Sequence, residues 1–245
     1  MNVVSMDGRV RVGIIDSGLA QDELSRMQVL HAQRFVTAED GSVECVPEVQ
    51  DELGHGTQIA KTILENNPGI ELLIAQVFAD RRQCAPAQVV AALDWLVGAG
   101  TRVINMSFGI ARPEAALRLA CERASHAGAI LISSAPARGA TAFPAAYPCC
   151  IAVSGDARCN SEQISWLGTA TADFGAHPFA LSGSGGASYA AARVSSCIAR
   201  LLAMGVAAEE IRSSLQAQCS YHGPESRRSE TLRDTADFDA GLLQP

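Results

Sequence analysis

Apolar positions along the chain come in short runs that switch between a period of two and a helical period. Arg9-Val10-Arg11-Val12-Gly13-Ile14-Ile15 alternates and then stops at Asp16-Ser17-Gly18, which predicts a buried strand ending in a carboxylate. A polar segment follows to about Leu53, with Arg34-Phe35-Val36 its one strand-like island. The run beginning Gly54-His55-Gly56-Thr57 predicts an amphipathic helix that opens on a glycine-flanked histidine and ends near Asn66-Asn67-Pro68-Gly69. Further strands are expected over Ile70–Phe78, Val103–Gly109, Ala129–Ser133 and Cys150–Val153. Helices are expected over Pro86–Val97, Pro113–Ala127, Ser188–Met204 and Ala207–Gln218. Ser161 to Ser182 is irregular, with room for one or two short strands, and Phe238, Leu242 and Leu243 are expected to tie a polar tail back to the body. Strands alternating with helices of this length imply right-handed crossovers and a mostly parallel central sheet with helices on both faces: a three-layer α/β fold in one domain spanning 1–245.

Composition narrows the class. With 245 residues and 48% hydrophobic content, the chain can bury a full core. Its 26 acidic against 19 basic residues, net charge -7, argue against a nucleic-acid surface. Lys61 is the single lysine, so positive charge is almost all guanidinium. The N-terminus lacks the charged, apolar and small-residue order of a secretory signal, and no apolar run approaches the roughly 20 residues that span a bilayer. A cytoplasmic location with no membrane partner is expected. In a reducing compartment the eight cysteines are expected to be thiols, with Cys121, Cys197 and Cys219 in the core; Cys149, Cys150 and Cys159 lack paired CxxC spacing for zinc.

The candidate chemistry lies in three places. In Gly183-Ser184-Gly185-Gly186-Ala187-Ser188-Tyr189-Ala190 a glycine-rich loop runs into an alanine-rich helix at one serine. Unpaired backbone N–H groups and the positive end of the helix dipole would face any negative charge formed there. The same stretch also suits a turn feeding a core helix. Asp16 stands at a strand's carboxyl end, where sites collect in open α/β sheets, and His55 at a helix start. Acyl transfer uses such a trio: a hydroxyl to attack, an imidazole to take its proton, and a carboxylate to orient the imidazole.

In the order Asp16, His55, Ser188 the chain resembles the subtilisin-like serine peptidases. Ile14-Ile15-Asp16-Ser17-Gly18, Gly54-His55-Gly56-Thr57, Val103-Ile104-Asn105-Met106-Ser107 and Gly186-Ala187-Ser188-Tyr189-Ala190 carry the likeness, which extends to Ala240-Gly241-Leu242. The resemblance implies that Asp16 orients His55, that His55 is general base and then acid, and that Ser188 forms an acyl-enzyme. Ser107-Phe108-Gly109 would pair with the substrate backbone and wall the pocket for the residue before the scissile bond, with Ala79 to Cys84 as the opposite strand of the cleft. A peptide or precursor-protein substrate follows, and no cofactor or metal is expected.

The departures from that pattern bear on rate and selectivity. Relatives end the strand matching Ala129 to Ser134 in a small residue, glycine and an asparagine whose amide donates to the oxyanion; Ala137 stands at the asparagine position. The loss of such a donor costs a factor of about 10²–10³ in subtilisin, a relative. The Ser188 backbone N–H would remain, and Arg138 would either supply a charged donor or point to solvent. Ala192 replaces a usual proline and Lys61 a usual glycine, and the short segment after the histidine helix leaves no calcium-binding loop. Arg81, Arg82 and Arg138 around the cleft would favour acidic side chains in the substrate. The short form and the Phe78-Ala79-Asp80-Arg81-Arg82 loop also resemble the leader-peptide proteases of cyanobactin-type pathways, which implies a narrow maturation role. A peptide-binding pseudoprotease of the same fold is the alternative, supported by Ala137.

Overall fold

The computed structural model describes residues 9–65, 67, 69–79, 83–137 and 141–225. In chain order these form β1 (Arg11–Asp16), the single turn α1 (Gln21–Leu24), β2 (Val29–Thr37), β3 (Val43–Pro47), α2 (His55–Leu64), β4 (Glu71–Gln76), α3 (Pro86–Gly98), β5 (Val103–Met106) and α4 (Ala115–His126). They continue as β6 (Ile130–Ser134), β7 (Cys150–Gly155), β8 (Ile164–Trp166), β9 (Phe174–Ala176), α5 (Ala187–Ala203), a 3₁₀ turn (Ala208–Glu210), α6 (Ile211–Ala217) and β10 (Tyr221–His222).

Side-chain alternation along the strands builds the layers. Val12 and Ile14 of β1, and Leu72 and Ile74 of β4, pack with Ile59 and Ile63 of α2, Val194 and Ile198 of α5 and Leu215 of α6. Ile15, Leu73, Ala75 and Ile104 point the other way, onto Val89, Leu93 and Leu96 of α3 and Leu117 and Cys121 of α4. Strands β1, β4 and β5 are buried on both faces, which is why they read as nearly continuous apolar runs. Gly13 lets α3 approach β1: a Cβ there would lie 2.8 Å from a Leu96 methyl.

All the strands join one sheet in the order β10-β8-β9-β7-β6-β5-β1-β4-β2-β3. The pairs from β2 through β7 to β9 are parallel, while β2–β3 and β8–β9 are antiparallel. Strand β1 lies between β4, which precedes β5 in the chain, and β5 on its other side. The chain therefore reverses direction across the sheet at β1, and the crevice at the carboxyl ends of β1 and β5 is where α/β sheets bind ligands.

The sequence expectation differs from the fold mainly at one edge. The strand-like island at Arg34-Phe35-Val36 is the second half of nine-residue β2, and β3 pairs with it from Gln33↔Pro47 to Thr37↔Val43. Only Phe35 of the two strands is buried, so neither shows the apolar alternation that marks a strand in sequence. The last helix opens as a 3₁₀ turn before α6. The irregular stretch holds β8 and β9, pinned by the edge-on pair Trp166–Phe174 at 5.1 Å. All eight cysteines are free thiols; Cys121 is buried, whereas Cys197 and Cys219 are half-buried against the core rather than inside it. Phe238, Leu242 and Leu243, expected to anchor the tail, lie outside the described residues.

Candidate active site

The end of β1 and the start of α2 are locked together through main-chain and side-chain polar groups. Asp16, 2% exposed, accepts from the Ser17 N–H at 2.8 Å and pairs with His55 Nδ1 at 2.7 Å through the same Oδ1. A carboxylate only accepts, so in the neutral imidazole this contact keeps the proton on Nδ1 and leaves Nε2 as the basic nitrogen. Gly56 N–H donates to Ser17 Oγ at 2.8 Å, and a Cβ on Gly56 would collide with the Gly18 carbonyl. Glycine at 56 is therefore what lets the histidine helix approach the aspartate turn.

Sequence reasoning missed the residue that starts this helix. Gly54 adopts a left-handed conformation (φ 67°) and carries no side chain to cap with. Asp51, buried, supplies the cap from three residues upstream, accepting from Gly54 N–H (2.8 Å), Thr57 N–H (3.0 Å) and Thr57 Oγ1 (2.7 Å). Gln76, fully buried at the end of β4, clasps the same region by donating to Ser17 O and Val49 O and accepting from Val49 N–H. Glu48 accepts from the Leu19 N–H at 2.7 Å; burial, with the nearby Asp51 charge adding to it against that bond, pushes its carboxyl up to about 7. The aspartate turn thus rests on a polar cluster drawn from residues 48 to 51, in the segment read from sequence only as variable.

Ser188 is the second residue of α5, preceded by the extended Gly186 and by Ala187. Its hydroxyl donates to Ser107 O at 3.3 Å. Ser107 is in turn held by Asn105 Nδ2 at 2.8 Å, and Asn105 Oδ1 accepts from Ser195 of α5 at 3.0 Å, so β5 and the serine helix are cross-linked beneath the site. The ring of Tyr189, the residue after Ser188, packs against the His55 ring at 5.9 Å between centroids. The structure thus pairs Asp16 with His55 and sets the His55 ring against Tyr189, the residue next to Ser188. An imidazole oriented by a carboxylate is suited to accept a proton.

Next to Ser107, Phe78 and Phe108 meet edge to face at 5.8 Å and line an apolar cavity of about 340 Å³ together with Cys84, Gly109, Ile110 and Leu117. Burial pushes the Cys84 thiol up to about 11, so it stays protonated near neutral pH. Ala137 is exposed and shares a cavity of about 600 Å³ with Pro136, Gly186 and Ala187, next to the start of α5. Its methyl offers no hydrogen-bond donor there. Arg81, Arg82 and Arg138 lie outside the described residues. Among the described residues, no three His, Cys, Asp or Glu side chains gather to hold a metal ion, and no helix is long and apolar enough to cross a membrane.

Comparison with known proteins agrees with this architecture. Residues 7–218 match the family described as Peptidase_S8, the subtilase family. The chain is 29% identical to Subtilisin DY of Bacillus licheniformis over 175 residues, which cover 65% of this chain and 61% of that protein; the match thus spans less than two thirds of that relative's length. Among solved structures, a cold-adapted subtilisin-like serine proteinase superposes with a TM-score of 0.67 at 21% identity, covering 89% of this chain and 86% of the other. The epidermin leader peptide processing serine protease from Staphylococcus aureus superposes with a TM-score of 0.66 at 16% identity, covering 85% and 68%. With the family pattern matching residues 7–218, the chain belongs to the subtilase family.

Proposed function

We propose that the protein is a serine endopeptidase in which Ser188 attacks a peptide carbonyl, His55 takes the serine proton and returns it to the leaving amine, and Asp16 holds the imidazole. The observation that carries this reading is the 2.7 Å Asp16–His55 contact at the start of α2, beside the Tyr189 ring at the start of α5. The tetrahedral oxyanion would be met by the Ser188 N–H at the positive end of a 17-residue helix. The substrate would lie as an added strand along Ser107-Phe108-Gly109, with an apolar side chain in the Phe78–Phe108 cavity.

The natural substrate of this reading is a precursor peptide cut at a set sequence. Support comes from the arginines at 81, 82 and 138, which would pair with acidic side chains, and from the fold shared with a protease that processes the epidermin leader peptide. A cytoplasmic site of action fits this role. The pseudoprotease reading keeps one observation in its favour, the absence of a side-chain donor at Ala137.

The two are separated by incubating the protein with a peptide library rich in acidic positions and mapping products by mass spectrometry. Internal cleavage that disappears in Ser188→Ala is expected. Peptides that are retained but returned intact would establish the binding module instead.

A further inference from the structure

The helices that carry His55 and Ser188 pack into one core cluster, where Ala190, Ala191 and Ala192 at the start of α5 are fully buried and α2 contributes Ile59, Ala60 and Ile63. Small side chains allow close approach, and directional contacts between the helices then add to the register that packing sets. At the catalytic end the seam is spanned by the His55–Tyr189 ring contact. At the other end polar groups cross it. Ser196 Oγ donates to Ile63 O at 2.7 Å, and Arg193 donates through one guanidinium nitrogen to Glu65 at 2.7 Å. The other terminal nitrogen of Arg193 reaches Phe179 O at 2.9 Å, in the segment that leads into Ser188.

This ion pair joins a buried guanidinium to a carboxylate at the solvent edge. Arg193 is 5% exposed, and its Nε is buried with no hydrogen-bond partner among the described residues. Removing the guanidinium from water is costly, and the attraction of a carboxylate that stays 21% exposed offsets that cost only in part. What the pair supplies and a hydrocarbon cannot is a fixed register. Glu65 caps the end of α2, ten residues or about 15 Å along from His55, and Arg193 is five residues or about 7 Å along α5 from Ser188. One planar guanidinium therefore fixes three things at once: the far end of the histidine helix, the serine helix, and the strand of chain entering it.

We infer that Arg193 and Glu65 are positioning residues that set the distance between His55 and Ser188 through the register of α2 on α5. This rests on the peptidase reading for its catalytic consequence, but the register itself can be read without turnover.

The test uses the double variant Arg193→Met/Glu65→Leu, which leaves no unpaired buried charge, beside Glu65→Asp, which keeps the charge on an arm one methylene shorter. Active sites are titrated with a fluorophosphonate, kcat and KM are measured on a cleaved peptide, thermal unfolding is followed, and the downfield Nδ1 proton of His55 is observed by NMR. The expected result is a double variant at least as heat-stable as the wild type, with kcat per titrated site down by about 10²-fold, the cost of an ~1 Å misplacement. KM should be unchanged and the His55 proton shifted or broadened. Glu65→Asp should show the same pattern at several-fold lower kcat. A double variant with wild-type kcat, or an activity loss that only follows loss of folded protein, overturns the inference. Should the double variant not fold, an unchanged kcat and His55 signal in Glu65→Asp overturn it equally. A wild type that is never labelled refutes the peptidase reading, and the NMR comparison still decides the register.

Discussion

Replacing Gly56 with alanine puts one methyl group into the tightest backbone approach at the site. That carbon would overlap the Gly18 carbonyl and lie 3.0 Å from Gly18 N and 3.2 Å from Ser17 N. All three are main-chain atoms of the turn that carries Asp16, so no side chain can swing aside. Carbon needs roughly 3.5 Å from such neighbours, and relief means moving the first turn of α2 by on the order of 1 Å. Overpacking of this kind costs about 1–3 kcal/mol. Stretching the 2.8 Å bond from Gly56 N–H to Ser17 Oγ adds about 1 kcal/mol. The same movement draws His55 away from Asp16, and an ~1 Å error in a catalytic group costs about 10²-fold in rate. Urea unfolding and kcat/KM per titrated site measure the two effects. Gly54→Ala is the control, because open space surrounds that position and only its left-handed φ of 67° is strained. It should cost ~1–2 kcal/mol and leave kcat intact. A Gly56→Ala variant that matches the Gly54→Ala control in rate would refute the claim that this backbone contact sets the Asp16–His55 geometry.

Three further outcomes are expected. Asp51→Ala removes three accepted hydrogen bonds at the start of α2 and should lower unfolding free energy by about 2–4 kcal/mol, read from the urea midpoint at unchanged slope. Ala137→Asn, checked by kcat on a cleaved peptide, should raise the rate by up to about 10²-fold if the Ser188 N–H acts alone at the oxyanion, whereas no gain would mean another donor already acts. Glu48 titrates at about 7 in the fold against an ordinary 4.5, so the native state holds more protons across that interval. Its contribution to stability is full below the ordinary value and is lost as pH rises through the folded one. The loss is about 3 kcal/mol at 1.36 kcal/mol per pKa unit, and ~1–2 kcal/mol after allowance for its partial exposure to solvent. Glu48→Gln should flatten the dependence of unfolding free energy on pH between about 4.5 and 7, and an unaltered slope would remove Glu48 as its cause.

The parts of the fold that sequence makes legible are those whose burial leaves a period. Val12, Ile14 and Ile15 mark β1 because both of its faces are covered, and Asp16 stands out as the polar stop of that run. Gly54-His55-Gly56 is legible because its glycines serve the backbone, a left-handed φ at Gly54 and close approach at Gly56, and Gly186-Ala187-Ser188 because a glycine-rich loop runs there into an alanine-rich helix. Strand β3 is not, since only Val43 and Val46 are half-buried and the rest of this edge strand is exposed. Asp51 escapes the usual capping pattern because it reaches the helix across a turn through left-handed Gly54. Glu65 and Arg193 are 128 positions apart, and nothing local in either sequence neighbourhood signals the other. The arginines at 81, 82 and 138, proposed to favour acidic substrates, are read from sequence alone, since those positions lie outside the described residues.

The central claim, that Ser188 is a nucleophile activated by His55, is tested most directly by reacting the protein with a fluorophosphonate and mapping the adduct by mass spectrometry. The account predicts one phosphonyl group per chain on Ser188, absent in Ser188→Ala and slowed by several orders of magnitude in His55→Ala. An unmodified wild type, or an adduct that persists in Ser188→Ala, would contradict it.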